Sequence, residues 1–225
     1  MIPQRNLSLL SNRLAQKGGR RIPEAVLERD YCLSWFLVGL LGTILRDTLA
    51  FKGGTAIKKC FIPDYRFSED LDFTLRNDVS FEHIQEQFDQ AFTYSQQASG
   101  IRLTISRIDR HPHENSHSFF IAYEGPLPGA TGKEVKVDLY DLWHLVSHDF
   151  LKPGELIDAV RQKMRFRGKD LANTREILIK KEARLKKLWK TRLLYQMEEL
   201  PEFDQVHRYV LRELRQAGFL GDINK

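Results

Sequence analysis

The sequence is poor in cysteine, in long apolar runs and in repetition. Its two cysteines, Cys32 and Cys60, have apolar neighbours and no Cys-x-x-Cys spacing, which argues against a disulfide framework and a zinc ribbon. The longest uncharged run, Tyr31 to Leu45, has 15 residues. That is short of the roughly 20 needed to cross a bilayer, so it reads as a buried helix and no membrane partner is expected. The N-terminus, Met1-Ile2-Pro3-Gln4-Arg5, lacks an apolar signal core followed by a small-residue cleavage site. With the scarce cysteine, this predicts a cytoplasmic protein. No internal repeat, low-complexity tract or long linker interrupts the chain.

What is present suits a globular protein. The chain has 225 residues, 42% of them hydrophobic, enough for a substantial core in one domain or two small ones. The net charge of +5 is unevenly spread: residues 161–192 hold 13 basic and only 3 acidic side chains. This stretch, with Arg165, Arg167, Lys180, Lys181, Arg184, Lys186, Lys187 and Lys190, suits a phosphate-backbone footprint. It equally suits the solvated side of a helix whose Ile177, Leu178, Leu185, Leu188 and Trp189 are buried.

Periodicity predicts helices over 5–18 and 24–48, a short strand near Leu49–Lys52, a glycine turn at Gly53-Gly54, a helical turn over Thr55–Phe61 and a strand over Asp70–Arg76. A helix over about 81–98 follows Ser80, a good cap. Alternating segments at 101–108, 118–123 and 135–139 read as further strands, and after Asp141 only helical patterns remain, including about 155–164 and 205–216. The layout is a mixed sheet followed by a helical tail, with a boundary near 140–152.

Two neighbouring stretches carry chemistry: Phe51-Lys52-Gly53-Gly54-Thr55-Ala56-Ile57 and Arg66-Phe67-Ser68-Glu69-Asp70-Leu71-Asp72-Phe73-Thr74-Leu75. On a strand Asp70, Asp72 and Thr74 share one face, and Leu71, Phe73 and Leu75 the other. Paired carboxylates repel and call for a compensating partner, and a hard divalent cation such as magnesium suits their oxygens. A glycine pair before a helix lets the backbone approach a phosphate, with Thr55 as a further donor. Each feature alone is ordinary; together they describe a site for a nucleotide triphosphate and metal ions. Lys52 and Lys58 are near enough in sequence to touch the triphosphate, with solvated surface lysines as the simpler reading. His111, His113 and His117 have the irregular spacing of a turn rather than of a metal site.

These two motifs resemble the signature of AbiEii/AbiGii-type abortive-infection toxins in the DNA polymerase β-like nucleotidyltransferase superfamily. The resemblance extends to the helix leading into Lys52, to Tyr140-Asp141-Leu142-Trp143, to Trp189 and to the 201–206 stretch. It implies an α+β fold, with a mixed β-sheet nucleotidyltransferase core and N-terminal helices over residues 1–140 and a C-terminal helical region over 141–225. It also implies Mg2+-dependent transfer of a nucleotide from an NTP to an acceptor hydroxyl, tRNA or another RNA being the acceptor, by a toxin with a cognate antitoxin. Asp70 and Asp72 would hold metal, and Gly53, Gly54 and Thr55 the triphosphate. Arg66 and Ser68 would reach phosphate or brace the carboxylates. Asp138 is the candidate third carboxylate, since Lys136 and Asp138 alternate with Val135, Val137 and Leu139.

The chain departs from this pattern at one place. Relatives carry a Glu-Lys pair on a further segment between the third-carboxylate strand and an Arg-Asp-Leu-Tyr-Asp-Leu helix, whereas here residues 137–143 run the two motifs together and the lysine has no counterpart. Asp138 therefore stands where two aspartates are expected. Either a shortened site works, or the protein is catalytically impaired and keeps the fold to bind nucleic acid or a partner. Separately, the fold also suits phosphoryl in place of nucleotidyl transfer.

Overall fold

A computed structural model of the chain describes residues 1–18, 21–77, 79–111, 116–129, 152–166, 174–197 and 199–220. The chain forms two compact units. The first comprises Met1–Val135 together with Tyr195–Glu198, and the second Lys136–Leu194 with Glu199–Lys225. The return of residues 195–198 to the first unit has no counterpart in the sequence pattern.

In the first unit, helix α1 (Gln4–Gly18) precedes α2 (Glu24–Leu41) and the short α3 (Leu45–Thr48). The single helix expected over 24–48 is thus broken. At the break Thr43 Oγ1 accepts from the Leu45 N–H (3.2 Å) and donates to the Leu40 carbonyl (2.8 Å), a local alternative to the helical ladder. Gln87 Oε1 accepts from the Ile44 N–H (3.3 Å). Strand β1 (Leu49–Lys52) leads into α4 (Gly53–Ala56) and a π-helical turn, Ile57–Phe61. Strand β2 (Asp72–Leu75) pairs antiparallel with β1. Helix α5 (Phe81–Ser99) starts where the Ser80 hydroxyl accepts from the His83 N–H, as its cap pattern predicts. The antiparallel pair β3 (Arg102–His111) and β4 (Ser116–Glu124) follows.

The composition is α+β, but the described strands form two separate antiparallel pairs rather than one mixed sheet. The expected strand at 135–139 lies outside the described residues. His111 and His117 are ladder residues, paired with Ser116 and Arg110, rather than parts of a turn; His113 lies outside the described residues.

The core sits between α2 and α5. Phe36 meets Phe88 at 5.3 Å and Phe92 at 5.6 Å between ring centroids, and all three are buried. Each such ring removed from water contributes about 1.5–3 kcal/mol. The helices come close because residue 39 is glycine: a Cβ there would overlap the Ala91 carbonyl and stand 2.8 Å from Ser95 Oγ. Leu71 and Phe73 pack on this core as the alternation predicts. Leu75, expected beside them, is instead largely exposed.

The second unit contains α6 (Pro153–Phe166), α7 (Thr174–Leu193) and α8 (Phe203–Gln216) among its described residues. Proline at the first position of α6 loses nothing, since its N–H would have no helical partner. Trp189 donates Nε1–H to the Pro201 carbonyl (2.8 Å) and packs edge-on against Phe203. The basic residues of α7 face outward: Lys180, Lys181, Arg184, Lys186, Lys187 and Lys190 are exposed, with Lys180 paired to Glu176 and Lys186 to Asp204. No helix among the described residues is long and apolar enough to cross a membrane.

Candidate active site

The site is assembled from β1, the glycine turn and β2. The register sets Phe51 opposite Phe73 and Lys52 opposite Asp72. The two phenylalanine rings stack at 5.2 Å on the core side, so Lys52 and Asp72 lie on the other face. The chain turns there at Gly53, with φ of +77°. A Cβ on Gly53 would overlap Asp72 Oδ2 and stand 3.1 Å from Asp72 Cβ. The acidic strand and the glycine turn, separate signals in sequence, meet at this point.

Asp70 and Leu71 precede β2 rather than belonging to it, so the strand expected from 70 begins two residues late. The backbone of Asp70 is held differently: Thr55, fully buried, donates its hydroxyl to the Asp70 carbonyl. The hydroxyl proton expected to serve a phosphate therefore fastens the loop before the acidic strand. Gly54 is buried beside it, and Ser68, Asp70 and Asp72 are half-buried.

Residues 62–71 form no regular element, and side chains take the place of a ladder in holding them. The Lys58 ammonium donates to the Pro63 and Tyr65 carbonyls (3.1 and 2.7 Å) and lies 4.1 Å over the Phe67 ring. Burial, which disfavours the charged amine, pulls its pKa below the ordinary lysine value. Arg66, only 8% exposed, donates from Nη1 to Gln196 Oε1 (2.7 Å) and to the Phe67 carbonyl (3.0 Å). Glu69 pairs with Arg29 of α2 at 2.7 Å.

Helix α2 holds three different segments through three successive charged residues. Arg29 holds the loop through Glu69, Asp30 holds the π-helical turn through Lys59 (2.6 Å), and Glu28 accepts the Leu127 N–H (2.6 Å) in the segment after β4. Glu28 is buried, and loss of hydration raises its carboxyl pKa above the usual value of 4.5, against the lowering effects of the Leu127 N–H and Arg29. Its charge also helps push the buried Cys32 thiol, already raised by burial, to about 12, which leaves that thiol unreactive. Both cysteines are free.

A raised carboxyl pKa in the folded state means the folded chain holds the proton more tightly than the unfolded one. Stability therefore falls as pH rises from about the unfolded value through the folded one. Glu28→Gln keeps an acceptor for Leu127 and removes the charge. It is expected to match or exceed the wild type in Tm at pH 7 and to lose this advantage as pH falls toward 4.5. Thermal melts across that range check this, and a variant less stable at pH 7 than at pH 4.5, relative to wild type, contradicts it.

Asp138, Lys136 and the 140–143 motif lie outside the described residues. Among the described residues no three His, Cys, Asp or Glu side chains form a metal-binding group. Asp70 and Asp72 themselves are hard oxygen donors of the kind magnesium takes. Lys58, read from the sequence as a triphosphate contact or a solvated surface lysine, holds the loop carbonyls. Arg29 and Gln196 escaped the sequence reading, since their partners are far away in sequence.

The sequence pattern described as nucleotidyl transferase AbiEii toxin, type IV toxin-antitoxin system, matches residues 35–138 and 134–209. Searches of characterised proteins and of solved structures return no match to this chain. The family match takes in the glycine turn, the acidic strand and the Gln196 segment, and well over half of the sequence. The chain belongs to the AbiEii family of nucleotidyl transferase toxins.

Proposed function

We propose that this chain transfers a nucleotide from an NTP to a hydroxyl of an RNA acceptor, tRNA being the favoured one, as the toxin of a pair restrained by a cognate antitoxin in the cytoplasm. The observation that carries this reading is the Asp72 carboxylate set against the Gly53 turn, within a chain whose family is a nucleotidyl transferase.

The residues divide the work. Gly53 and Gly54 have no side chain to hold the triphosphate away from the backbone, and the exposed Lys52 supplies positive charge beside them. Asp70, Asp72 and Asp138 would hold Mg2+, which when bound offsets the charge of the triphosphate. Thr55, Lys58, Arg66 and Arg29 keep the loop leading to Asp70 in place, with Ser68 inside it. The acceptor oxygen forms a bond to the α-phosphorus as the bond to the bridging β-phosphate oxygen breaks, releasing pyrophosphate. Asp138 takes the proton of the attacking hydroxyl. The outward lysines of α7 suit an RNA backbone.

A second reading, a binding protein that keeps the fold without turnover, draws on the two pieces of the family match, which share residues 134–138. One short stretch thus serves two parts of the family pattern, and Asp138 lies within it.

Incubation with RNA, Mg2+ and each NTP labelled at the α-phosphate is expected to label the RNA with at least one nucleotide. EDTA should abolish labelling and excess Mg2+ restore it. Label from the γ-position instead indicates phosphoryl transfer. RNA retention with no label from any of the four NTPs, with tRNA among the acceptors, overturns the enzyme reading in favour of the binding protein.

A further inference from the structure

Residues 195–198 belong to the first unit although the residues on both sides of them belong to the second. Their attachment is specific. The Phe67 N–H donates to the Gln196 carbonyl (2.9 Å), and the Arg66 guanidinium donates to Gln196 Oε1 (2.7 Å). Backbone and side chain of one residue thus grip two successive residues of the loop that runs into Asp70. Gln196 is only 5% exposed and Arg66 8%, so water does not readily replace this contact. A guanidinium has donors only, so the carbonyl end of the Gln196 amide must face it.

Residues 62–71 have no ladder of their own. Thr55 holds the far end of the loop at the Asp70 carbonyl, Arg29 holds Glu69, and Lys58 holds Pro63 and Tyr65. The Gln196 grip secures the stretch between, at Arg66 and Phe67. We infer that Gln196 is a positioning residue for the Asp70–Asp72 carboxylates, acting through Arg66 and Phe67 from about 130 residues further along the chain. The inference rests on the nucleotidyl-transfer reading for its kinetic consequence, while the grip itself is read from the loop.

The test compares Gln196→Ala, Arg66→Ala, their double variant and Gln196→Glu in the full chain, by nucleotide transfer and by hydrogen exchange of the amides of residues 67–72. Gln196→Ala is expected to lower kcat about tenfold or more with KM for the NTP nearly unchanged, because misplaced groups slow chemistry more than binding. Exchange at residues 67–72 should speed about tenfold as the loop opens locally. Gln196→Glu keeps the acceptor and should restore both. The double variant should be no worse than the poorer single one, since both remove one interaction. Should Gln196→Ala not fold, Gln196→Met, which keeps volume without the acceptor, is read in its place.

Unchanged exchange and kcat overturn the inference, as does a rise in KM on Arg66→Ala that Gln196→Ala does not share, which assigns Arg66 to the substrate directly. If the wild type transfers no nucleotide, the proposed reaction fails, and the exchange measurement still decides the grip.

Discussion

Asp72→Asn is expected to lower nucleotide transfer about a thousandfold, equivalent to about 4 kcal/mol of barrier, with little change in stability. The substitution keeps the shape of the side chain and removes the charge that a divalent cation binds. Asp72 lies opposite Lys52 in the ladder, and a cross-strand pair of opposite charge contributes only about 0.2–1 kcal/mol. A Tm change within about 4 °C is therefore expected. Asp70→Asn should behave alike, because its bond to Thr55 uses the backbone carbonyl and survives the change. Single-turnover transfer measured beside a thermal melt checks both. A folded Asp72→Asn protein that keeps more than a tenth of wild-type activity removes the carboxylate from the reaction.

Gly53→Ala is expected to come close to Asp72→Asn in lost activity, with a stability cost in addition. A φ of +77° costs a residue with a Cβ about 1–2 kcal/mol. The new methyl would also fall on Asp72 Oδ2, so the carboxylate must swing off the turn or the turn must open. Gly129 supplies the control: its φ is +91°, and among the described residues nothing lies within 4 Å of the position a Cβ would take. Gly129→Ala should show the backbone cost alone and keep its activity. Equal activities for the two variants would show that the contact between Gly53 and Asp72 is without consequence.

How far the site could be read from the residues depends on how local each interaction is. The glycine turn, the cap at Ser80 and the inward placement of Leu71 and Phe73 follow from neighbours within a few positions, and they appear where the patterns put them. Boundaries fared less well. Thr43 forms hydrogen bonds that break the long helix after Leu41, and Asp70 is drawn out of the strand pattern by Thr55, fifteen residues earlier. Thr55, picked out as a phosphate donor by its place beside the glycine turn, donates its buried hydroxyl to the Asp70 carbonyl, a contact that no local pattern announces.

From the order of residues alone came the candidate chemistry: two acids one residue apart, a glycine pair before a helical turn, only two cysteines, and no uncharged run of the length a membrane-crossing helix needs. These follow because side-chain type and short spacing are properties of the chain itself. That Asp72 meets Gly53, that α2 lends Glu28, Arg29 and Asp30 to three different segments, and that Gln196 returns to grip Arg66 were decided only in three dimensions. Each of those contacts joins residues about 20 to 130 positions apart, and strand pairing, buried charge and packing select them from many arrangements that the same local patterns allow.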